Sequence, residues 1–300
     1  MSFGGVTTGA AQPATGSPGP ARIKVGGHPI DAVGNREVLD MIVSRALTRE
    51  PGAFICLSNA NNVVQSQSMP GMRKAAETSF LSIPDGFSVA WILRRRGYRS
   101  AQKLGGPDLV PMLAQAGREA GLVHMFYGWT ERLGDAAAAG LQAEAPGTRV
   151  TPSLSPPFAR AQGFPDGKDV EVPPGTPLAP SWVDMGGKVG EVDWQLDELE
   201  QALRTEQPHI LWVGLGSPVQ EEWMSMLAGR LDVPVMIGVG RAFNYLAGTQ
   251  KRCPRFMTRI GLEWLYTFLA EPRRLWRRYL IGNPRFVMLV ARESAHGDKP

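Results

Sequence analysis

One aspartate stands in a setting suited to proton transfer. Asp85 lies in the run Ile83-Pro84-Asp85-Gly86-Phe87, where a Pro-Asp-Gly turn opens onto the helical pattern "SVAWILRRRG". Turn chemistry alone accounts for an aspartate in such a place. A carboxylate at a loop–helix junction is also how a general base is aimed at a substrate hydroxyl. Other polar groups occupy comparable junctions. Asn59 and Asn61, in "SNANN", follow an apolar run and suit either recognition of a polar ligand or capping of the next helix. Lys103 opens "KLGGPDL", and Asp108 near its end is either a second carboxylate or a helix amino-terminal residue.

Two glycine turns could supply a binding wall. In "VGLGSPVQEEW", Gly214 and Gly216 let backbone amides approach a ligand, and Pro218 suits a first helical turn, whose N–H groups attract anions such as a nucleotide diphosphate. Gln220 offers both a donor and an acceptor. "GVGRAFNYLAG" repeats the design with Gly238 and Gly240. The first turn is not the dinucleotide fingerprint, because Val219 stands where the third glycine belongs, and this argues against a nicotinamide-dependent oxidoreductase. It is not a P-loop, since no Gly-Lys-Ser/Thr follows. The four histidines, His28, His124, His209 and His296, are scattered, and no Asp-x-Asp pair occurs. Neither a metal centre nor a Ser-His-Asp arrangement is suggested.

These groups need strand ends to carry them. Short apolar runs ("AFICLS", "GLVHMFYG", "PHILWVGLG", "VPVMIGVG") alternate with helical patterns over residues 63–76, 132–145 and 218–231. Such alternation predicts an α/β fold with a parallel sheet covered on both faces, with ligands in the crevice beyond the carboxyl ends of the strands. Residues 1–20 are read as a flexible tail, 21–249 as the core, 250–292 as a basic appendage and 293–300 as a second flexible tail. Residues 151–195, crowded with Pro and Gly, read as a long loop. Two cysteines, Cys56 and Cys253, make no disulfide framework, and no run approaches the ~20 apolar residues that span a bilayer. With no signal-like amino terminus, a cytoplasmic location is expected.

Charge is unevenly spread. The chain carries +4, yet residues 250–300 hold 11 Lys/Arg against 4 Asp/Glu, which leaves the remainder net negative. Within "GLEWLYTFLAEPRRLWRRYLIGNPRF", Pro272 starts a helical stretch. Leu275, Trp276, Tyr279 and Leu280 share one face, and the pairs Arg273/Arg277 and Arg274/Arg278 share the other. One face suits a core or a lipid surface; the other suits phosphate, with Arg252 and Arg255 nearby. The pattern resembles no nucleic-acid reading module, so no specific nucleic-acid partner is expected.

Taken in order, "PDG", "GLGSPVQEEW", "GVGRAFNYLAG" and the carboxyl-terminal run resemble the WecG/TagA/CpsF bacterial glycosyltransferases, glycosyltransferase family 26, over about residues 28–292. The resemblance implies a Rossmann-like core of the GT-E type whose carboxyl-terminal appendage closes the active site and engages the membrane. It implies a metal-independent, inverting transferase without a cofactor, acting at the inner face of the cytoplasmic membrane. The donor would be a UDP-sugar, commonly UDP-N-acetylmannosamine or its uronic acid, and the acceptor a polyprenyl-diphosphate-linked sugar. Asp85 takes the place of the proposed general base, with Asn59 and Gln220 at the matching polar positions. The chain departs from the family pattern at Leu57, Lys103, Val219, Asn244 and Thr267, where Thr, Arg, Lys, Asp and Arg are usual, and these changes bear on the donor sugar. A membrane-bound scaffold without turnover is the competing expectation, and oligomeric state is left open.

Overall fold

The computed structural model describes residues 19–128, 130–156, 194–259 and 261–295. Residues 1–18 of the expected amino-terminal tail, most of the Pro/Gly-rich loop and the last five residues lie outside these. The chain opens with an antiparallel hairpin, β1 (Arg22–Val25) and β2 (His28–Asp31). Gly26 and Gly27 form its turn with φ of 57° and 78°, the left-handed pair that a tight hairpin of native twist needs.

The main sheet contains β3 (Ala53–Ser58), β4 (Leu81–Pro84), β5 (Val123–Gly128), β6 (Arg149–Val150), β7 (Ile210–Gly214) and β8 (Val235–Gly238). Their spatial order is β4-β3-β8-β7-β5-β6, and every pairing is parallel. This is the expected α/β architecture. Both faces are buried, so side chains alternate between two apolar layers. Ile55, Phe126, Trp212 and Ile237 meet α1 (Asn35–Leu47), α5 (Gly106–Gly117), α6 (Glu131–Glu144) and α9 (Ala242–Leu246). Phe54, Tyr127, Leu211 and Met236 meet α3 (Pro70–Thr78), α7 (Asp197–Glu206) and α8 (Val219–Leu227).

The hairpin protects the exposed edge of β4. Arg22 grips Asp31 with two hydrogen bonds of 2.8 Å, and Asp31 accepts the Ser82 N–H at 2.7 Å. An edge strand is thereby capped by a buried, charge-assisted network instead of being left open for pairing. A third apolar cluster joins the hairpin (Val25, Ile30) to Val63 of α2 (Ala60–Gln65), to Val89 and Leu93 of α4 (Phe87–Arg95), and to Phe286.

Two helical expectations need correction. The single helix over residues 63–76 is two, α2 and α3, separated at Ser66–Met69, because Pro70 begins a new helix instead of continuing the old one. The carboxyl-terminal stretch runs as α10 (Arg255–Arg259), α11 (Glu263–Ala270), α12 (Pro272–Trp276), a π-helical segment (Arg277–Gly282) and α13 (Asn283–Ala295). Leu275 is buried while Leu280 is 64% exposed, so the expected apolar face is divided. Helix α13 also continues past residue 292, and Glu293 binds Arg96 at 2.7 Å and the Gly26 N–H at 2.8 Å.

The tightest helix contact gives a stability test. A Cβ on Gly140 of α6 would lie 1.9 Å from the Leu246 carbonyl oxygen of α9. Gly140→Ala should therefore destabilise by roughly 2–4 kcal/mol in urea titration, although alanine is the better helix former. The exposed control Ala139→Gly should cost only about 1 kcal/mol. An unchanged midpoint for Gly140→Ala would contradict this packing.

Candidate functional site

The carboxyl ends of β4, β3, β8 and β7 are neighbours, and the expected site residues leave from them in that order. Asp85 follows β4, its backbone N–H bonded to the Ser58 carbonyl at 2.8 Å. Asn59 follows β3. Its Oδ1 accepts the Asn61 and Asn62 N–H groups at the start of α2, and its Nδ2 donates to Asp85 Oδ2 at 3.2 Å. Capping and carboxylate positioning are thus both performed by one side chain. Beneath it runs a buried relay: His28 Nε2 meets Ser58 Oγ at 3.0 Å, Ser58 Oγ meets Ser82 Oγ at 2.8 Å, and Ser82 Oγ donates to the Pro29 carbonyl. Burial first, and the nearby Arg73 charge second, lower the His28 pKa to about 4, which keeps this relay uncharged at neutral pH.

Gly105 and Gly106 bring the next loop against Asp85. A Cβ on Gly105 would lie 2.7 Å from Asp85 Oδ1, and one on Gly106 would lie 3.1 Å from the Val239 carbonyl oxygen. The carboxylate is in this way held close to the loop after β8. Lys103 reaches the same region and forms an ion pair with Glu263 of α11. Burial works against its charge, but Glu263, by charge and hydrogen bond, with Asp85 and Asp108 adding at longer range, raises its pKa above the ordinary lysine value. Asp108 is in the first turn of α5, half-exposed, 3.7 Å from Arg252. Arg252 also bonds Glu144 at 3.1 Å and the Pro107 carbonyl at 2.9 Å.

The glycine turns are packed in a way sequence spacing does not show. A Cβ on Gly214 would lie 2.7 Å from the Phe243 ring, so the absent side chain makes room for that ring. Gly238 lies over the Gln220 amide, which a Cβ there would approach to 3.0 Å. Gln220 is buried: its Oε1 accepts the Gly216 N–H at 3.2 Å and its Nε2 donates to Glu221 Oε1 at 3.1 Å. Both ends of the amide expected to face a ligand are engaged inside the protein, where they brace the turn. Gly216 and Gly240, with φ of 79° and 49°, face each other; a Cβ on Gly240 would be 3.7 Å from Gly216 Cα. Of Arg274, Arg277 and Arg278 the structure describes the backbone alone, on α12 and the π-helical segment.

Sequence reasoning missed two sets of acidic residues. Glu263, Glu271 and Glu293, three of the four acids in the basic tail, each bind a core cation: Lys103, Arg241 (2.7 Å) and Arg96 (2.7 Å). Their rarity in a cationic segment was the available signal. Glu221 is the other miss. Burial pushes its carboxyl up to about 7 from an ordinary 4.5, partly offset by the Gln220 hydrogen bond. Among the described residues no cluster of three or more His, Cys, Asp and Glu could hold a metal.

The Glu221 shift has a definite sign. A carboxyl whose pKa is raised by folding stabilises fully below its unfolded value, and that contribution is lost as pH rises from about 4.5 through about 7. Glu221→Gln keeps the acceptor for Gln220 and removes the ionisation. It should be more stable than the parent by roughly 1–3 kcal/mol at alkaline pH, with the gap closing in mild acid. Parallel stability–pH curves for the two proteins in chemical denaturation would exclude this account.

Residues 23–300 match the glycosyl transferase WecG/TagA/CpsF family. An N-acetylglucosaminyldiphosphoundecaprenol N-acetyl-beta-D-mannosaminyltransferase of Bacillus spizizenii (strain W23) is 23% identical over 256 residues, which cover 85% of this chain and 84% of that protein. A protein of the same name from Staphylococcus aureus (strain NCTC 8325) is 30% identical over 103 residues, 34% of this chain and 40% of the relative. The match takes in the strand ends that carry Asn59, Asp85, Gln220 and the glycine turns, as well as the carboxyl-terminal helices, and the chain belongs to the WecG/TagA/CpsF family of glycosyltransferases.

Proposed function

We propose that this glycosyltransferase moves a hexose or N-acetylhexosamine of the N-acetylmannosamine type from a UDP-sugar to a sugar linked to polyprenyl diphosphate. It would do so with inversion and without a metal, at the inner face of the cytoplasmic membrane, in the synthesis of an envelope polysaccharide. The observation that carries this reading is the Asn59–Asp85 pair, beside the facing turns of Gly216 and Gly240 on adjacent strands. The Bacillus relative, similar over most of both chains, is named for an N-acetylmannosaminyl transfer to a lipid-diphosphate acceptor, which supports the donor and acceptor classes.

Inversion in one displacement needs the acceptor hydroxyl to lose its proton as it attacks the anomeric carbon from the side opposite the leaving UDP. Asp85 takes that proton in this reading, and the Asn59 amide orients the carboxylate without competing for the proton. The departing diphosphate gains negative charge, which backbone N–H groups of the glycine turns and cations must meet. Lys103 is a described cation coupled by charge to both Asp85 and Asp108. Arg274, Arg277 and Arg278 are assigned to the same phosphates, or to the anionic membrane surface, on their position in the basic tail. Among the described residues no helix is long and apolar enough to cross a membrane, which suits peripheral attachment through the carboxyl-terminal helices.

Release of UDP from a UDP-sugar in the presence of a short-chain polyprenyl-diphosphate sugar is the assay. Asp85→Asn should lower turnover by ~10²–10⁴-fold with the melting temperature little changed; parental turnover would remove Asp85 from the mechanism. Asn59→Asp separates two roles, since it keeps the helix cap but sets a second carboxylate against Asp85. Turnover should fall roughly tenfold or more while stability drops by less than about 1 kcal/mol.

A further inference from the structure

Helix α4, which carries the chain away from Asp85, turns two aromatic rings toward solvent. Its inner face, Val89, Ala90, Ile92 and Leu93, is buried, whereas Phe87 is 41% and Trp91 46% exposed. These rings are four residues apart, one turn along the same face. Arg95 continues the row, its guanidinium 5.0 Å from the centre of the Trp91 ring. Arg94 and Arg99 are exposed close by, and residues 86–100 contain no Asp or Glu. Among the described residues no carboxylate pairs with Arg94, Arg95 or Arg99. Arg96 differs, since it is bound to Glu293 and to the Lys24 carbonyl. The basic cluster is therefore divided: one arginine fastens the last helix, and three face outward.

This face continues into the appendage. A Cβ on Gly261 would lie 2.8 Å from the Phe87 ring, and α11 begins two residues later at Glu263 and carries Trp264, 44% exposed. Exposed aromatic rings flanked by cations that no carboxylate neutralises match the chemistry of a bilayer interface, where rings settle at headgroup level and arginines meet lipid phosphate.

We propose that α4 is a membrane-docking surface on the catalytic core itself. It seats Phe87 and Trp91 among the headgroups of an anionic bilayer, with Arg94, Arg95 and Arg99 on lipid phosphates. The proposal rests on the lipid-linked acceptor proposed above and extends it: the core as well as the carboxyl-terminal helices meets the membrane. Because α4 starts two residues after Asp85, the carboxylate is held at the depth where a lipid diphosphate leaves the bilayer.

The test uses the full chain and vesicles of phosphatidylcholine with about one third phosphatidylglycerol. A Trp91→Ala/Arg94→Gln/Arg95→Gln variant should partition onto them roughly 30-fold more weakly than the parent. It should turn over a soluble short-chain acceptor at the parental rate and lose turnover on a long-chain acceptor embedded in the vesicles. The single variant Trp91→Ala, at an exposed position, gives the same comparison if the triple variant unfolds. Unchanged partition would overturn the proposal. So would a parent that sediments as a dimer and a variant that sediments as a monomer, because the face would then belong to a second copy of the chain. If neither protein turned over the soluble acceptor yet the partition difference remained, the acceptor reading would fail and the docking surface would stand.

Discussion

The Asn59 side chain divides one amide between two duties, and the geometry of the candidate site depends on that division. Its oxygen ends the free N–H groups of α2 while its nitrogen holds Asp85 at 3.2 Å. Neither loop is fixed alone. The turn after β4 gains its position from the loop after β3, and that loop is anchored through Ser58 to a buried, uncharged hydroxyl and imidazole relay. Buried polar groups specify an arrangement through their partners, and here His28, Ser58 and Ser82 tie the hairpin to β3 and β4 directly beneath the two loops. Pre-organisation of this kind suits proton transfer, where a misplaced carboxylate is costly.

Much of the fold was legible because a sheet buried on both faces writes its strands as continuous apolar runs. The apolar run Ala53–Ser58 coincides with β3, and β5, β7 and β8 lie within the runs that announce them. The opening hairpin has its own local signal in Gly26-Gly27, a recognisable turn. The break before Pro70 is likewise written in the proline, although apolar periodicity runs across it. The π-helical register at Arg277–Gly282 had no local signal.

Within the site, positions were readable and partnerships were not. Asp85 and Asn59 each declared themselves by turn and cap chemistry, but their hydrogen bond depends on β3 and β4 being neighbours. Gln220 reads as a surface helix residue until the strand order brings Gly216 and Gly238 around it. Glu221 looks solvated in "QEEW", yet it is buried at the start of α8, where it accepts a hydrogen bond from the Gln220 amide. Long-range contact decides such cases, and no window of sequence contains it.

The non-sequential strand order has a consequence for how this enzyme comes into being. β3 pairs with β8, Ala53 opposite Val235, so an early strand waits with one edge unfilled until almost the entire core has been synthesised. Long-range parallel pairing of this kind forms slowly and leaves apolar edges open to wrong partners meanwhile. A nascent chain halted before residue 235 has Asp85 and Asn59 but lacks the central strand whose end carries Val239 and Gly240 beside them. Chaperone demand and losses to aggregation should therefore fall on the unfinished polypeptide, well before any sugar is met.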